Sequence, residues 1–253
     1  MNHVMPTSLS ASFYSPGVFP LGILFGSDHM NLERCELLLG KEKLNSIQNK
    51  KILIVGIGGV GGYTLESLVR LGINNITIAD YDTIDSSNLN RQIITNTKNI
   101  GMKKVEVAFN RYSEINPNIN LTLIKDKITI DNFSDLIKDN YDYIVDACDD
   151  TNIKIELINY ALNKNIKIIT SCGTANRIDS TKLKITTLDK TEYDPLAKKL
   201  RSKLRKENKS LKIPVVSSIE RPIKCDGLGS VSYVPATAGL LITNYIINDI
   251  YKK

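Results

Sequence analysis

Short apolar runs alternate with segments of helical apolar spacing over residues 32–170. Runs rich in β-branched residues predict five strands, at 52–55, 75–80, 121–124, 143–147 and 166–170. The spacing of apolar residues predicts helices at 32–47, directly after the glycines of 56–62, and at 101–115, 131–137 and 152–163. This alternation predicts the α/β class, with a Rossmann-like, mostly parallel sheet covered by helices on both faces.

The pattern changes after residue 173. Residues 182–188 alternate as in an edge or antiparallel strand, and 213–218 predict a further strand. Residues 194–206 form a strongly basic helical pattern, and a last helix is predicted to begin at Pro235. We therefore expect one domain over residues 31–253, in which 182–253 form a C-terminal extension.

Residues 1–30 differ from the remainder of the chain. They contain prolines and serines and end in Gly-Ser-Asp-His-Met, which resembles the remnant of a cloning vector ahead of a native start at Met30. Pro16 and Pro20 interrupt the apolar part, and no basic segment precedes it, which argues against a signal peptide. We expect a non-native, disordered leader. It holds both histidines, so histidine chemistry is excluded from residues 31–253.

The amino-acid composition limits the possible metal sites, cellular location and binding partners. The four cysteines, Cys35, Cys148, Cys172 and Cys225, form no C-x-x-C pair, which argues against a zinc site of the usual spacing and against a disulfide framework. A cytoplasmic protein is expected, and no apolar run approaches the roughly 18 residues of a membrane span. The net charge of +6 fits either a lysine-rich surface or a polyanionic partner such as RNA.

The motif G-x-G-x-x-G, at Gly56, Gly58 and Gly61, lies between a predicted strand and a predicted helix. In that context glycines let the backbone approach a phosphate, and the helix N-terminus supplies free N–H groups. Asp80 ends the second strand, where an acid can accept hydrogen bonds from ribose hydroxyls. At this stage an NAD-dependent oxidoreductase and an ATP-binding enzyme are equally well supported.

Two cations and an acidic residue favour an ATP-binding enzyme over an NAD-dependent oxidoreductase. Arg91 and Lys104 follow the second strand, and two cations near a glycine turn suit a triphosphate, although each alone could be an ordinary surface charge. Asp149 and Asp150 follow the fourth strand, where a carboxylate could hold Mg²⁺. Asp150 could equally cap the next helix, so Asp149 is the better metal candidate. Asp146 is expected to be structural or to orient a neighbour.

Five ordered motifs resemble those of the E1-like adenylating superfamily: Gly56–Gly62, Asp80–Asp82, Ser87–Gln92, Gly101–Lys104 and Asp146–Asp149. The resemblance implies a magnesium ion on Asp149, and an Arg34 that reaches the ATP site of a neighbouring subunit, hence a homodimer. It also implies an ATP site formed by Gly56, Gly58, Gly59, Gly61, Asp80, Asp82, Asn88, Arg91, Gln92 and Lys104.

Residues 190–205 and 228–235 resemble the tRNA threonylcarbamoyladenosine dehydratase branch of that superfamily. The resemblance implies ATP-dependent cyclisation of a carboxylate-bearing adenosine in the anticodon loop, and it allows sulfur-transfer proteins as partners. The basic helix would then bind tRNA through Lys198, Lys199, Arg201, Lys203, Arg205 and Lys206. Without the resemblance, a solvated face packed through Leu196, Leu200 and Leu204 is the simpler interpretation.

Three other functions stay open at this point. The first is adenylation of a ubiquitin-like or sulfur-carrier protein, and the second is a nicotinamide-dependent oxidoreductase. The third, a non-catalytic RNA-binding module, would not need an acid and two cations around a glycine turn. Cys172 and Cys225 could serve as nucleophiles, but buried or incidental cysteines are more common, and cyclisation by the substrate's own oxygen needs no enzyme nucleophile.

Overall fold

A computed structural model describes residues 30–138 and 140–252. The predicted leader and both histidines lie outside the described residues, apart from Met30. The strands are β1 Lys51–Val55, β2 Asn75–Ala79, β3 Asn120–Ile124, β4 Tyr143–Asp146, β5 Lys167–Ser171, β6 Leu183–Thr187 and β7 Pro214–Ser218. The helices are α1 Glu33–Leu39, α2 Lys41–Gln48, α3 Gly61–Arg70, α4 Lys104–Ile115, α5 Phe133–Leu136, α6 Thr151–Lys164, α7 Pro195–Lys206 and α8 Tyr233–Tyr251.

The strands form one seven-stranded sheet in the order β3-β2-β1-β4-β5-β7-β6. All neighbouring strands run parallel except β6, which pairs antiparallel with β7 at the edge. The predicted α/β class and the predicted antiparallel edge strand are therefore confirmed. Strand order reverses between β1 and β4, and in such sheets the crevice at the carboxyl ends of those two strands is where ligands bind.

Alternate residues of the central strands supply two cores, one on each face of the sheet. Ile52 and Ile54 of β1 pack with apolar residues of α3, α4 and α8, whereas Leu53 and Val55 pack with those of α5, α6 and α7. The side-chain period of two in a strand makes both faces of the sheet apolar, so each face needs a helical cover. The predicted helices on both faces are thus confirmed.

Three predicted helix boundaries were wrong. The helix predicted at 32–47 is two helices, because Gly40 adopts a φ of +79° and separates α1 from α2. The helix predicted from residue 101 begins at Lys104, since Lys103 is extended and Gly101 has a φ of +86°. The last helix begins at Tyr233, two residues before Pro235. Apolar spacing alone did not reveal these changes of backbone direction.

The C-terminal segment completes the sheet and one of its helical layers. Strand β7 pairs with β5 and carries β6, and α8 packs along α3. At Gly239 of α8 a Cβ atom would lie 2.4 Å from the carbonyl oxygen of Val60, so only glycine permits this approach of the two helices. Pro235 lies against Gly59, where a Cβ atom would be 3.2 Å from the proline ring. Helix α8 therefore packs directly against the glycine turn at residues 56–62.

Candidate active site

A pocket of about 360 Å³ opens at the carboxyl edge of the sheet, beside β1, β2 and β4. Most residues that the sequence singled out for ATP line it together: Gly56, Gly58, Gly59, Asp80, Asp82, Asn88, Arg91, Gln92, Lys104 and Asp149. Gly61 lies behind the lining, at the start of α3. Because parallel strands end at a common edge, side chains far apart in sequence meet in one cavity. Their roles stay predictions.

The glycine turn is shaped by contacts that exclude side chains. Gly56 has a φ of +85°, and a Cβ atom on Gly61 would lie 1.8 Å from the carbonyl oxygen of Gly56. Gly58, by contrast, has only a Gln92 side-chain atom at 3.7 Å from its Cβ position, so its backbone faces open space. Gly56 and Gly61 are thus required by packing, and Gly58 offers a bare peptide surface to a ligand.

Asp80 holds this turn in place. One carboxylate oxygen accepts a hydrogen bond from the Ile57 amide at 2.9 Å, and the other accepts from the Asp82 amide at 3.0 Å. Burial raises the pKa of Asp80, against the opposing charge of Lys104 and these two N–H groups. A carboxylate can accept about four hydrogen bonds. Asp80 can therefore organise the turn and still accept from a hydroxyl in the pocket.

Lys104 is a buried cation at the start of α4. Its side chain is 5% exposed, and Nζ lies 2.7 Å from Asp82 Oδ2 and 3.9 Å from Asp80 Oδ1. The Asp82 side chain is 46% exposed, so the lysine of the ion pair is buried and the aspartate contacts solvent. An ammonium in such a partly desolvated position interacts strongly with an incoming phosphate. Asp82 thus holds the Lys104 ammonium group in a position where it can contact an anionic ligand.

Arg91 is oriented by its own loop. Its Nη1 donates to the Ser87 carbonyl at 2.8 Å and to Asn90 Oδ1 at 2.9 Å, while Asn90 Nδ2 donates to the Ser230 carbonyl at 3.0 Å. A guanidinium has five N–H donors, so donors remain for a phosphate. Asn88 uses its side chain to accept from the Asp85 amide at 3.1 Å. Arg91 is thus held by the loop of residues 87–90, which is itself bonded to the segment that precedes α8.

The two acids after β4 differ in environment. Asp150 caps α6, where Oδ1 accepts from the amides of Asn152 at 2.7 Å and Ile153 at 3.3 Å. Asp149 is exposed at the rim of the pocket. Within residues 30–138 and 140–252, no cluster of three or more potential His, Cys, Asp or Glu ligands occurs. A single carboxylate fits Mg²⁺, which binds one or two carboxylates together with waters and substrate phosphates.

Lys127 and Tyr81 are among the pocket residues that the sequence analysis did not single out. Lys127 and Tyr81 line the pocket, and Lys127 Nζ lies 5.2 Å from the centre of the Tyr81 ring. Tyr81 follows β2 and Lys127 follows β3, so their positions just beyond strand ends were the available signal. Together with Ile128 they form the aromatic and apolar part of the pocket, which suits a nucleobase better than a phosphate.

The cysteines near the site are unsuited to nucleophilic attack. Cys172 is 4% exposed, and Cys148 Sγ donates to Asp146 at 3.2 Å. Burial raises the pKa of both thiols, so neither is a thiolate at neutral pH. Cys225 is exposed, and its thiol contacts the Gly227 carbonyl. The interpretation of Cys172 as a buried, structural residue agrees with its environment.

Arg34 lies outside this pocket, on α1. Helix α1 contains no buried residue, and Leu37 and Leu38 are 80% and 79% exposed. Arg34 itself is exposed. An Arg34 that faces solvent is compatible with the predicted role in the site of a neighbouring subunit, which stays a prediction.

The basic residues of helix α7 differ in how far they are exposed to solvent. Leu200 and Leu204 are buried as the sequence suggested, and Leu196 is half-buried. Arg201 turns inward, where its guanidinium donates to the carbonyls of Leu188 at 3.3 Å and Thr191 at 3.1 Å. Arg201 is therefore half-buried against the adjoining turn, and its predicted contact with tRNA stays a prediction. The exposed cations are Lys198, Lys199, Arg205 and Lys206, and Lys203 is half-buried.

None of the helices in the described part of the chain combines the length and apolar character that crossing a membrane requires.

Comparison with known proteins shows the family to which the chain belongs. The ThiF family model matches residues 32–248. A tRNA threonylcarbamoyladenosine dehydratase of Bacillus subtilis (strain 168) is 33% identical over 238 residues, which cover 87% of this chain and 94% of that protein. A protein of the same name from Escherichia coli (strain K12) is 37% identical over 208 residues, covering 79% and 78%.

A solved structure extends the similarity to three dimensions. The crystal structure of the E. coli tRNA N6-threonylcarbamoyladenosine dehydratase TcdA in complex with ATP matches with a TM-score of 0.83 and 33% identity, covering 87% of this chain and 93% of that one. The chain therefore belongs to the ThiF family of E1-like adenylating proteins, together with these tRNA threonylcarbamoyladenosine dehydratases.

Proposed function

We propose that this protein uses ATP to cyclise N6-threonylcarbamoyladenosine in the anticodon loop of tRNA, with the formal loss of one water. The observation that carries the proposal is a single pocket with a bare glycine turn, two oriented cations and a free rim carboxylate. Relatives that match over most of their length carry the name of this activity. Membership of the ThiF family also favours ATP over a nicotinamide cofactor.

The reaction balances in two steps. The substrate carboxylate attacks the α-phosphate of ATP, which forms an acyl-adenylate and releases pyrophosphate. The ureido oxygen of the same nucleoside then attacks the activated carbonyl carbon, which closes the ring and releases AMP, while a ureido nitrogen loses its proton to solvent. The oxygen atom of the lost water leaves in AMP. No enzyme nucleophile is required, in agreement with the protonated thiols of Cys148 and Cys172.

Several pocket residues have a role in this mechanism. The peptide groups at Gly58 and Gly59 bind phosphate oxygens, and Asp80 accepts from the ribose. Lys104 and Arg91 stabilise the charge that develops as pyrophosphate leaves. Such fixed charges are effective because they need no reorganisation during the reaction. Tyr81 and Ile128 pack against the adenine.

Magnesium, a second subunit and the cellular setting belong to the same proposal. Asp149 would hold Mg²⁺, which supplies Lewis-acid stabilisation of the phosphates when bound. Arg34 of a second copy would complete the site in a homodimer, and the exposed Leu37 and Leu38 of α1 give that copy an apolar contact. The free cysteines of the described residues suit the cytoplasm. Sulfur-transfer proteins are proposed as partners on the resemblance alone.

Mass spectrometry of nucleosides tests the reaction. Purified protein is incubated with tRNA that carries threonylcarbamoyladenosine, ATP and Mg²⁺, and the tRNA is digested under conditions that preserve the ring. We expect the modified nucleoside to lose the mass of one water, together with formation of AMP and pyrophosphate. Release of ADP would contradict the adenylate.

A second assay separates this function from activation of a carrier protein. ATP–pyrophosphate exchange is measured with modified tRNA, with unmodified tRNA and with a carrier that ends in Gly-Gly. We expect stimulation by the modified tRNA only. Stimulation by the carrier and not by the tRNA would replace the proposed function with adenylation of a protein C-terminus.

A further inference from the structure

A second concave surface adjoins the ATP pocket. It is an open groove of about 560 Å³ between the start of α6 and one side of α7. Its lining comprises Asp150, Thr151, Asn152, Lys199, Ser202, Lys203 and Lys206. Asp150 lines both cavities, so the groove leads away from the pocket at that residue. We call this surface the α6–α7 groove.

Three lysines place their charge along one side of the groove. Lys199, Lys203 and Lys206 follow the i, i+4, i+7 pattern, which confines them to an arc of about 60° on a helix of 3.6 residues per turn. Lys203 Nζ is held at the groove by a hydrogen bond to Asn152 Oδ1. Across residues 30–138 and 140–252, the Lys199 and Lys206 ammonium groups make no ion pair with an acid.

Little negative charge opposes these lysines. Asp150 is the only acid among the groove's lining residues, and its Oδ1 already accepts two amides of α6. The lining contains no aromatic side chain, so the groove offers charge and hydrogen bonds rather than a stacking platform. These features fit a chain of phosphates.

The remaining cations of α7 lie elsewhere. Lys198 and Arg205 are exposed but lie outside the groove lining, about 100–120° around the helix from Lys199. Arg201 is on the opposite flank and bonds to the turn at Leu188 and Thr191. The helix therefore has a groove side and an outer side, with two exposed cations on each.

We infer that the α6–α7 groove binds the RNA backbone on one side of the reacting nucleoside. The inference rests on the proposed function, since it requires a tRNA substrate. It narrows the tRNA contact, which the resemblance extended to six basic residues of α7, to the groove side, so Lys198 and Arg205 are not expected to touch the RNA. A nucleoside whose carboxylate meets the α-phosphate of ATP must enter the pocket from its open rim. The groove shares that rim at Asp150, so the phosphates that flank the nucleoside lie along Lys199, Lys203 and Lys206.

Paired double variants test this assignment. Lys199→Gln/Lys206→Gln removes two charges from the groove, and Lys198→Gln/Arg205→Gln removes two from the outer side of the same helix. We expect the groove variant to raise the KM for modified tRNA about tenfold and to reduce the salt slope of binding by about one to two. The outer variant is expected to change KM by about twofold or less, through its weaker long-range field.

The outcomes are distinct. Equal effects of the two double variants, or a larger effect of the outer one, would overturn the groove assignment while leaving the reaction intact. A rise in the KM for ATP in the groove variant would overturn it as well, because the lysines would then act on the nucleotide. Loss of binding to an acidic partner protein, with tRNA binding intact, would assign the groove to that protein. Failure of the wild type to form the cyclised nucleoside would instead overturn the proposed function.

Thermal unfolding of both double variants checks the fold. All four side chains are exposed, and glutamine has a helix propensity close to that of lysine and arginine. We therefore expect both variants to unfold within a few degrees of the wild type, so that differences in KM report contacts with RNA.

Discussion

Two lysine–aspartate pairs lie at the carboxyl edge of the sheet, and they differ in what surrounds them. Lys154 and Asp146 are 0% exposed, with Nζ to Oδ1 at 3.0 Å, and Lys154 also donates to the Ser171 carbonyl at 3.0 Å. In the second pair, Lys104 is 5% exposed but its partner Asp82 is 46% exposed. The first pair is enclosed by protein, and the second opens onto the pocket.

Solvent access distinguishes an ion pair that supports the fold from one that can bind a ligand. Burial is the largest influence and lowers the pKa of Lys154, but the charge and hydrogen bond of Asp146, together with the nearby Cys148 and Cys172, raise it more. The net pKa of Lys154 is therefore raised, and the ammonium stays charged. The pair joins the ends of β4 and β5 to α6, and no ligand can reach it. Lys104 has a partner at the pocket wall, so an incoming phosphate can share its charge. Residue types alone do not distinguish the two pairs.

The largest expected effect comes from breaking the enclosed pair. Lys154→Met leaves the carboxylate of Asp146 buried without its cation, so we expect the free energy of unfolding to fall by about 3–5 kcal/mol. Urea denaturation followed by circular dichroism measures it. The double variant Asp146→Leu/Lys154→Met removes both charges and should recover most of the loss. If Lys154→Met changes stability by less than about 1 kcal/mol, the pair is not the scaffold described above.

The next effect concerns the open pair. Lys104→Met removes a cation at the phosphate end of the pocket, and we expect kcat to fall about 100- to 1,000-fold, as for other fixed groups that stabilise transition-state charge. The cyclisation assay measures it. Lys98→Met is the matched control, because Lys98 lies six residues before Lys104 but is exposed and outside the pocket lining. Similar losses in the two variants would argue against a specific role for Lys104.

The smallest of the three effects contrasts two acids beyond the same strand. Asp149→Asn should lower kcat about 10- to 100-fold and raise the Mg²⁺ concentration needed for half-maximal rate, because a neutral amide binds the ion weakly. The rate is titrated against Mg²⁺. Asp150→Asn keeps a favoured capping residue on α6, so its effect should be several-fold smaller. A Mg²⁺ dependence that shifts more in Asp150→Asn would move the metal site to the helix cap.

The sequence predicted the architecture well because its signals are local. The β-branched runs at 52–55 and 143–147 and the helical spacing between strands are visible in any short window. The glycine spacing at Gly56, Gly58 and Gly61 is equally local, since it reflects the backbone geometry of one turn. These features led to the α/β class and to the edge at which the pocket opens.

Other features depend on neighbours that are distant in the chain. The inward turn of Arg201 depends on carbonyls of the turn at Leu188 and Thr191. The pairing of Tyr81 with Lys127 joins the ends of two strands. Neither of these can be derived from spacing along one segment.

The amino-acid sequence by itself determined the strands, most of the helices, the glycine turn and the set of polar residues at the pocket. Only the tertiary structure decided that Asp80 fixes the glycine turn through the Ile57 amide, and that Lys154 is enclosed while Lys104 faces a pocket. The physical reason is that local conformation follows from neighbouring residues, whereas burial and electrostatic environment follow from how distant elements pack.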